Sequence, residues 1–314
     1  MAVVVVGAGI AGIACARVLH GAGVAVRVLD RARAVGGRMA SKYLHGRPVD
    51  LGAAYFTVRD PEFAEVVGGW RTAGRARPWT DELAVLGGPG RRPAPGPMRW
   101  AAPAGLRSLV ADLAEGLDVE LDHPVAAVGP GPTVDGEPAD AVVLAMPDPQ
   151  ALRLVAADSA AGRELVGRRW RPVVAVAAGW ERRQWAPLPA GFVNDHPVLS
   201  LIADDGDRRG DGAPVLVAHT TARVARAYDA QPDRAVGPAV AAVREVLDIA
   251  GPPAWTHAHR WRLASPDADR DTLFHLGADG VGLAGDGWGS ARIETAWRSG
   301  TALGRAVVAR LRAG

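Results

Sequence analysis

Four consecutive valines, Val3 to Val6, run straight into Gly7-Ala8-Gly9-Ile10-Ala11-Gly12. An unbroken β-branched run of this length reads as a strand buried on both faces, the kind found at the centre of a parallel sheet. Apolar residues then recur at Ile13, Ala14, Ala16, Val18 and Leu19, which predicts a helix stopping near Gly21 or Gly23. A second strand, Val24 to Leu29, ends at Asp30, an acid 18 residues beyond Gly12. Each part has a physical task. Gly7 makes the tight turn, Gly9 lets backbone approach a pyrophosphate, and Gly12 lets the helix pack closely on the strand. The helix N-terminus offers unpaired N–H groups and the positive end of its dipole to phosphate. Asp30 is placed to accept from ribose hydroxyls. Strand, glycine turn, helix and acid in this register predict a dinucleotide site.

The next segment narrows the ligand. Gly36-Gly37-Arg38-Met39 follows Asp30 closely, and a plain nicotinamide-binding fold has no need of it. It resembles the second glycine motif of FAD-binding amine-oxidase and hydroxylase-type flavoproteins, where the Arg neutralises the pyrophosphate. Near the other end, the strand-like Val281 to Ala284 leads into Gly285-Asp286-Gly287. A helix then runs from about Ile293 through Leu303, Val307 and Leu311. This resembles the C-terminal FAD motif of the same families. The resemblance implies Asp286 on the ribityl chain, and the helix N-terminus near Ile293 at the flavin N1/C2 edge, where negative charge appears on reduction. FAD, bound without a covalent link, is the expected cofactor.

Composition excludes several classes. In 314 residues, 48% are hydrophobic and 22% charged, so the chain can build a core and is not intrinsically disordered. The net charge is +2 with no long Lys/Arg run, which argues against nucleic acid as a partner. No apolar run approaches the roughly 20 residues of a membrane span. Cys15 is the only cysteine, so no intrachain disulfide or Cys-rich metal site is expected; it reads as inert packing. The N-terminal stretch has neither a basic region nor a cleavage site, so a cytoplasmic location is expected. Arg almost wholly replaces Lys, in keeping with a GC-rich coding bias.

The expected architecture is α/β: a Rossmann-like FAD-binding domain of p-hydroxybenzoate-hydroxylase type, plus a mixed α+β substrate domain with an antiparallel sheet. The first is expected to be discontinuous, over residues 1–54, 103–169 and 270–314, and the second to take 55–102 and 170–269. Helices are predicted over 106–115, 149–157 and 235–249. Strands are predicted at 119–121, 140–147, 172–180, 198–202, 214–220 and 254–263. The Gly/Pro/Arg-rich stretch 87–97 reads as an exposed loop.

VDLGAAYFT (Val49 to Thr57), GGRM (Gly36 to Met39), VVLAMPDPQ (Val142 to Gln150), VLVAHTT (Val215 to Thr221) and GLAGDG (Gly282 to Gly287) together resemble the renalase family, within the flavin amine-oxidase superfamily. The resemblance implies cofactor contacts at Gly7, Ala8, Gly9, Ile10, Ala11, Gly12, Asp30, Arg31, Gly36, Gly37, Arg38 and Met39. It adds Gly52, Ala53, Ala54 and Tyr55 on the flavin side, Val125, Ala145 and Pro147, then Gly285, Asp286, Arg292, Ile293 and Ala296. Substrate contacts are implied at Tyr55, Asn194, His219 and Trp261. Ala54 departs from the pattern, since relatives usually carry Gln there.

The implied activity is oxidation of 2- or 6-dihydro isomers of NAD(P)H, with oxygen as acceptor and hydrogen peroxide as product. Many amine-oxidising relatives use a lysine joined through water to flavin N5. The only lysine here is Lys42, just past Gly-Gly-Arg and expected near the phosphates. Hydride loss from a dihydropyridine gives an aromatic pyridinium and needs no base, so no catalytic side chain is expected. His257 and His259 share a strand face as metal ligands do, but no third ligand is evident and no metal is expected. Two other classes stay open: an amine or secondary-metabolite oxidase or desaturase, and a non-catalytic flavoprotein acting as a redox or binding module.

Overall fold

The structure, a computed structural model, describes residues 2–87 and 90–313 and divides into two compact units. The first takes residues up to Met39, Arg107–Trp170 and from Ser265 onward. The second takes Ala40–Leu106 and Arg171–Ala264.

In the first unit the valine run forms β1 (Val3–Val6), with every residue buried. β1 lies between two parallel neighbours, β2 (Val26–Leu29) and the strand Ala141–Leu144. Val281–Leu283 and Asp118–Glu120 extend the sheet in parallel on either side, and His275–Leu276 closes one edge antiparallel. Parallel neighbours on both sides explain the unalternated hydrophobicity of the central strands. Helix α1 (Ile10–Gly21) starts directly after the glycine turn and packs on the long C-terminal helix Ile293–Ala313. A Cβ on Gly300 would run into the Ala11 carbonyl, so the two helix backbones approach closely at that point. Cys15 is fully buried on α1, and desolvation pushes its thiol up to about 12, so it stays protonated and unreactive.

The second unit is built on an eight-stranded sheet. Its order is Trp255–Pro266, Trp170–Gly179, Val215–Thr220, Leu199–Asp204, Ala190–Val193, Arg77–Leu86, Arg92–Ala101 and Phe56–Thr57. Ala190–Val193 pairs in parallel with Arg77–Leu86, and the sheet is otherwise antiparallel wherever register is defined. Strand periodicity sorts its side chains. Val174, Val176, Ala178, Leu216 and Ala218 face the helix Val236–Leu247 and the Trp180–Trp185 pair. The alternate residues Ala175, Ala177, Val215 and Val217 face Val49 and Leu51. The two alanines on that face leave room for a covering segment.

Several expectations need correction. Residues 92–97 are not loop: Arg92–Ala101 is a strand paired with Arg77–Leu86. Pairing overrides composition there: Pro93 and Pro95 sit opposite Ala84 and Glu82, and Pro97 falls where the register shifts. Residues 88 and 89 of that stretch lie outside the described residues. The helix expected over 149–157 is one turn, Asp148–Ala151, followed by turns and a second short helix, Ala160–Leu165, capped by Ser159. β2 begins at Val26, not Val24. Residues 40–54 group with the second unit. The reason is local: Ser41–Leu44 and Arg47–Asp50 form their own two-stranded sheet, and Asp50 is bound to that unit's buried arginines. Among the described residues no helix is long and apolar enough to cross a membrane.

Candidate functional site

The three glycine-bearing motifs of the first unit come together at the carboxyl ends of its central strands, the position where open α/β sheets bind ligands. Each glycine of the first motif is there for a different reason. Gly7 has φ +115°, and a Cβ on it would lie 2.5 Å from the Ala145 carbonyl oxygen. A Cβ on Gly12 would collide with the Gly7 carbonyl and meet the Ala145 side chain at 3.1 Å. Gly9 is different: a Cβ there meets no protein atom within 4 Å. Packing requires glycine at positions 7 and 12, whereas the protein itself has room for a side chain at 9. Gly9 also caps α1 without a side-chain hydrogen bond, so the first-turn N–H groups are open to an anion. The geometry fits the pyrophosphate of a dinucleotide.

Asp30, at the end of β2, accepts the Ala8 amide on one carboxylate oxygen (2.6 Å) and the Ala32 amide on the other (2.8 Å). Each oxygen keeps a further acceptor position. The second motif is tied to the first by the Gly36 amide donating to the Ala8 carbonyl (2.8 Å). Met39 is buried, while Arg31 is exposed beside the motif. Arg38 forks onto Asp286, Nη1 to Oδ2 at 2.6 Å and Nη2 to Oδ1 at 2.5 Å, so the second and third motifs meet as a bidentate ion pair.

A set of residues that the sequence reading missed supports this pair. The Arg38 guanidinium lies over the Trp170 ring, 4.9 Å from its centroid. Trp170 Nε1 donates to Asp148 (2.8 Å), and Arg270 donates to the other Asp148 oxygen (2.7 Å). Arg270 also donates to the Gly287 carbonyl (2.6 Å) and stacks at 4.1 Å on Trp288. Asp148 and Arg270 are almost wholly buried, so their mutual pairing is obligatory. Gly285 is fixed from below by its amide donating to the Ser299 hydroxyl (2.9 Å). No local signal marks Asp148 or Arg270, because their partners are distant in sequence.

The remaining expected residues of this unit are spread around the motifs. Ala145 sits under Gly7, Pro147 caps the one-turn helix, and Val125 packs partly buried on the core. Ile293 opens the C-terminal helix, Arg292 before it is exposed, and the Ala296 amide closes the first turn on the Arg292 carbonyl (3.1 Å).

The second unit holds the segment Gly52-Ala53-Ala54-Tyr55. The carbonyls of residues 50, 51, 52 and 54 are met by side chains. Trp261 Nε1 donates to the Leu51 carbonyl (2.7 Å). Arg208 donates to the Ala54 carbonyl (2.8 Å) and to that of Asp50 (3.4 Å). The Gly52 carbonyl faces the His219 ring. Burial, and then the Arg208 charge, push His219 down to about 4, so it is neutral near pH 7. Arg208 itself is buried among Asp50, Asp205 and Arg209. Burial alone would raise the Asp205 carboxyl, but Arg208, Arg209 and Arg47 hold it low. Tyr55 lies beneath the Arg99 guanidinium (5.6 Å) and beside Trp79. Asn194 stands in an exposed turn after Ala190–Val193, and makes no hydrogen bond to the 52–55 segment.

Lys42 is the one lysine of the sequence. It sits on the exposed Ser41–Leu44 strand of the second unit, with Nζ 3.3 Å from His257. His257 and His259 both titrate lower than usual, through burial first and then neighbouring positive charge. Among the described residues no three His, Cys, Asp or Glu side chains gather to hold a metal.

Comparison with known proteins agrees with this construction. Residues 5–70 match the family of NAD(P)-binding Rossmann-like domains, and residues 83–308 match that described as flavin containing amine oxidoreductase. The chain is 47% identical over 57 residues to hydroxyneurosporene desaturase of Rubrivivax gelatinosus. It is 45% identical over 53 residues to polyamine oxidase 4 of Oryza sativa subsp. japonica. These matches cover 18% and 17% of this chain, and 11% of each relative, so the chain spans only about a tenth of the length of those proteins. Among solved structures, a candidate protoporphyrinogen oxidase from Exiguobacterium sp. 255-15 has a TM-score of 0.80 at 14% identity, over 98% of both chains. Putrescine oxidase bound to putrescine has 0.75 at 16% identity, over 98% of this chain and 99% of that one. Cyclohexylamine oxidase from Brevibacterium oxydans has 0.76 at 14%, over 99% of both. At these identities the structures establish the fold. With the second family match running over most of the sequence, the chain belongs to the family of flavin-containing amine oxidoreductases, and FAD is its cofactor.

Proposed function

We propose that this flavoprotein is an oxidase of dihydronicotinamide dinucleotides. Hydride from a 2- or 6-dihydro isomer of NAD(P)H would pass to non-covalently bound FAD and then, with a proton, to oxygen, giving NAD(P)+ and hydrogen peroxide. In this reading Gly7–Gly12 and the α1 N-terminus hold the pyrophosphate, and Asp30 the adenosine ribose, with Arg31 and Val125 on the adenine side. Gly36–Met39, Ala145 and Pro147 line the phosphates. Gly285 and Asp286 hold the ribityl chain, while Arg292, Ile293 and Ala296 carry the helix terminus to the flavin.

The observation that carries this reading is the chain's supply of proton-transfer groups. Its one lysine is exposed and engaged with His257, and His219 is held neutral against a backbone carbonyl, while His257 and His259 also titrate low. A dihydropyridine becomes an aromatic cation by losing hydride alone, so the site needs positioning at roughly 3–3.5 Å and exclusion of water rather than a base. A second reading, oxidation or desaturation of an amine or other metabolite, is favoured by the names of the matched relatives. Anaerobic mixing with borohydride-reduced NAD, which contains the 2-, 4- and 6-dihydro isomers, separates the two. Rapid bleaching of the flavin by that mixture, but not by pure 4-dihydro NADH, is expected. A flavin that stays oxidised in the mixture but is bleached by an amine would replace the first reading with the second.

A further inference from the structure

Trp170 stands between the second and third glycine motifs and meets both. Its ring face carries the Arg38 guanidinium, 4.9 Å from the centroid. Its ring edge packs on the backbone just after Asp286. A Cβ on Gly287 would lie 3.2 Å from Trp170 Cζ2, 3.1 Å from Asp148 Oδ2 and 3.3 Å from Arg270 Nη1, so these three side chains together enclose Gly287. The indole is itself held: its Nε1 donates to Asp148 at 2.8 Å, and Arg270 donates to the other Asp148 oxygen at 2.7 Å. Trp170, Asp148 and Asp286 are buried, while Arg38 keeps 27% of its side chain exposed. All of these residues belong to the first unit. Packing alone needs only an apolar ring at this place; here the π face and the N–H each have a charged partner.

A guanidinium is planar, and two contacts of different kinds fix it. The fork onto Asp286 sets its position within the plane, and the indole face sets the plane itself. Among aromatic side chains an indole face attracts a cation most strongly, and more so where water is kept out. An arginine left loose on its long stem loses rotamer freedom when it closes on an anion, and that loss weakens binding. We propose that Trp170 is a positioning residue for cofactor binding: oriented by Asp148, it fixes the plane of Arg38, so that FAD meets a guanidinium ordered in advance. The proposal rests on the reading that Arg38 lines the phosphates. It gives the buried Asp148–Arg270 pair a task beyond stability, passed on through one indole N–H.

The test is a double-mutant cycle read as the affinity of the apoprotein for FAD, by titration calorimetry. Trp170→Leu should weaken FAD binding about tenfold when Arg38 is present. In the Arg38→Gln background the same change should weaken it less than twofold, since the group it orients is gone. Trp170→Phe keeps a π face and loses the N–H, and should weaken binding less than threefold. Should Trp170→Leu fail to fold, Trp170→Met fills more of the space and takes its place in the cycle. Equal weakening in both backgrounds would overturn the proposal and leave Trp170 a packing residue only. Unchanged affinity in Trp170→Leu would overturn it as well. An Arg38→Gln protein that binds FAD as tightly as the wild type would instead overturn the reading that Arg38 lines the phosphates.

Discussion

The glycine turn of the first unit and the segment around residues 50–54 of the second both turn on backbone polar groups, but they are built in opposite ways. In the first unit the open donors come from local geometry: a helix begins at Gly9 with no side-chain cap, and Gly7 and Gly12 let it sit tight on the sheet. In the second, the carbonyls of Leu51 and Ala54 are taken by side chains 210 and 154 residues away. The first device can be read from six residues. The second requires the fold.

The largest expected effect comes from comparing two glycines. Gly12→Ala places a methyl against the Gly7 carbonyl and Ala145, so it should lower the melting temperature of the apoprotein by several degrees and abolish FAD retention. Gly9→Ala meets no protein atom. It should cost the apoprotein under about 1 kcal/mol, the difference between Gly and Ala as an N-cap, yet weaken FAD binding at least tenfold. Equal loss of stability in both variants would mean that Gly9 serves packing, not ligand approach.

Next in size is Asp148→Asn. It leaves the buried Arg270 guanidinium with a neutral partner, and should destabilise by about 3 kcal/mol, seen as a lowered urea midpoint. FAD should bind more weakly as the Gly287 carbonyl loses its fixed donor. Full stability with normal FAD affinity would show that the Arg270–Trp170 network is incidental.

A smaller, pH-dependent effect follows from His219. Its native pKa of about 4 lies below the unfolded value near 6.5, so the unfolded chain binds more protons between those limits. Stability should be flat in this term above about pH 6.5, fall as pH drops toward 4, and level off below. His219→Gln should flatten that slope, and an unchanged slope would move the cause to another group. The smallest effect is assigned to Lys42→Met, which should change the rate of flavin reduction less than twofold. A loss of a hundredfold would restore a lysine-assisted amine chemistry.

What was legible in the sequence follows the same division. The βαβ start, the Gly-Gly-Arg and Gly-Asp-Gly motifs and the long strands of the second unit were readable, because each carries its signal within a few residues. The Arg92–Ala101 strand was not, since Gly and Pro dominate it and only pairing with Arg77–Leu86 makes it a strand. The Asp148–Arg270 pair and the grip of Arg208 on Ala54 were unreadable for a related reason. Arg270 meets Asp148 and Arg208 meets the Ala54 carbonyl over more than a hundred residues of sequence, so neither contact carries a local signal. For His219 and Trp261 the sequence does not show which carbonyl they meet.

The central claim is that this site oxidises its substrate by positioning, with no proton-transfer side chain. The most direct measurement is the rate of anaerobic flavin reduction by an isolated 6-dihydro NAD isomer, followed by stopped flow between pH 6.5 and 9. A rate that is rapid and flat across that range is the predicted result. A rate that climbs tenfold per pH unit, and loses that slope when one side chain is replaced, would reveal an essential base and contradict the account.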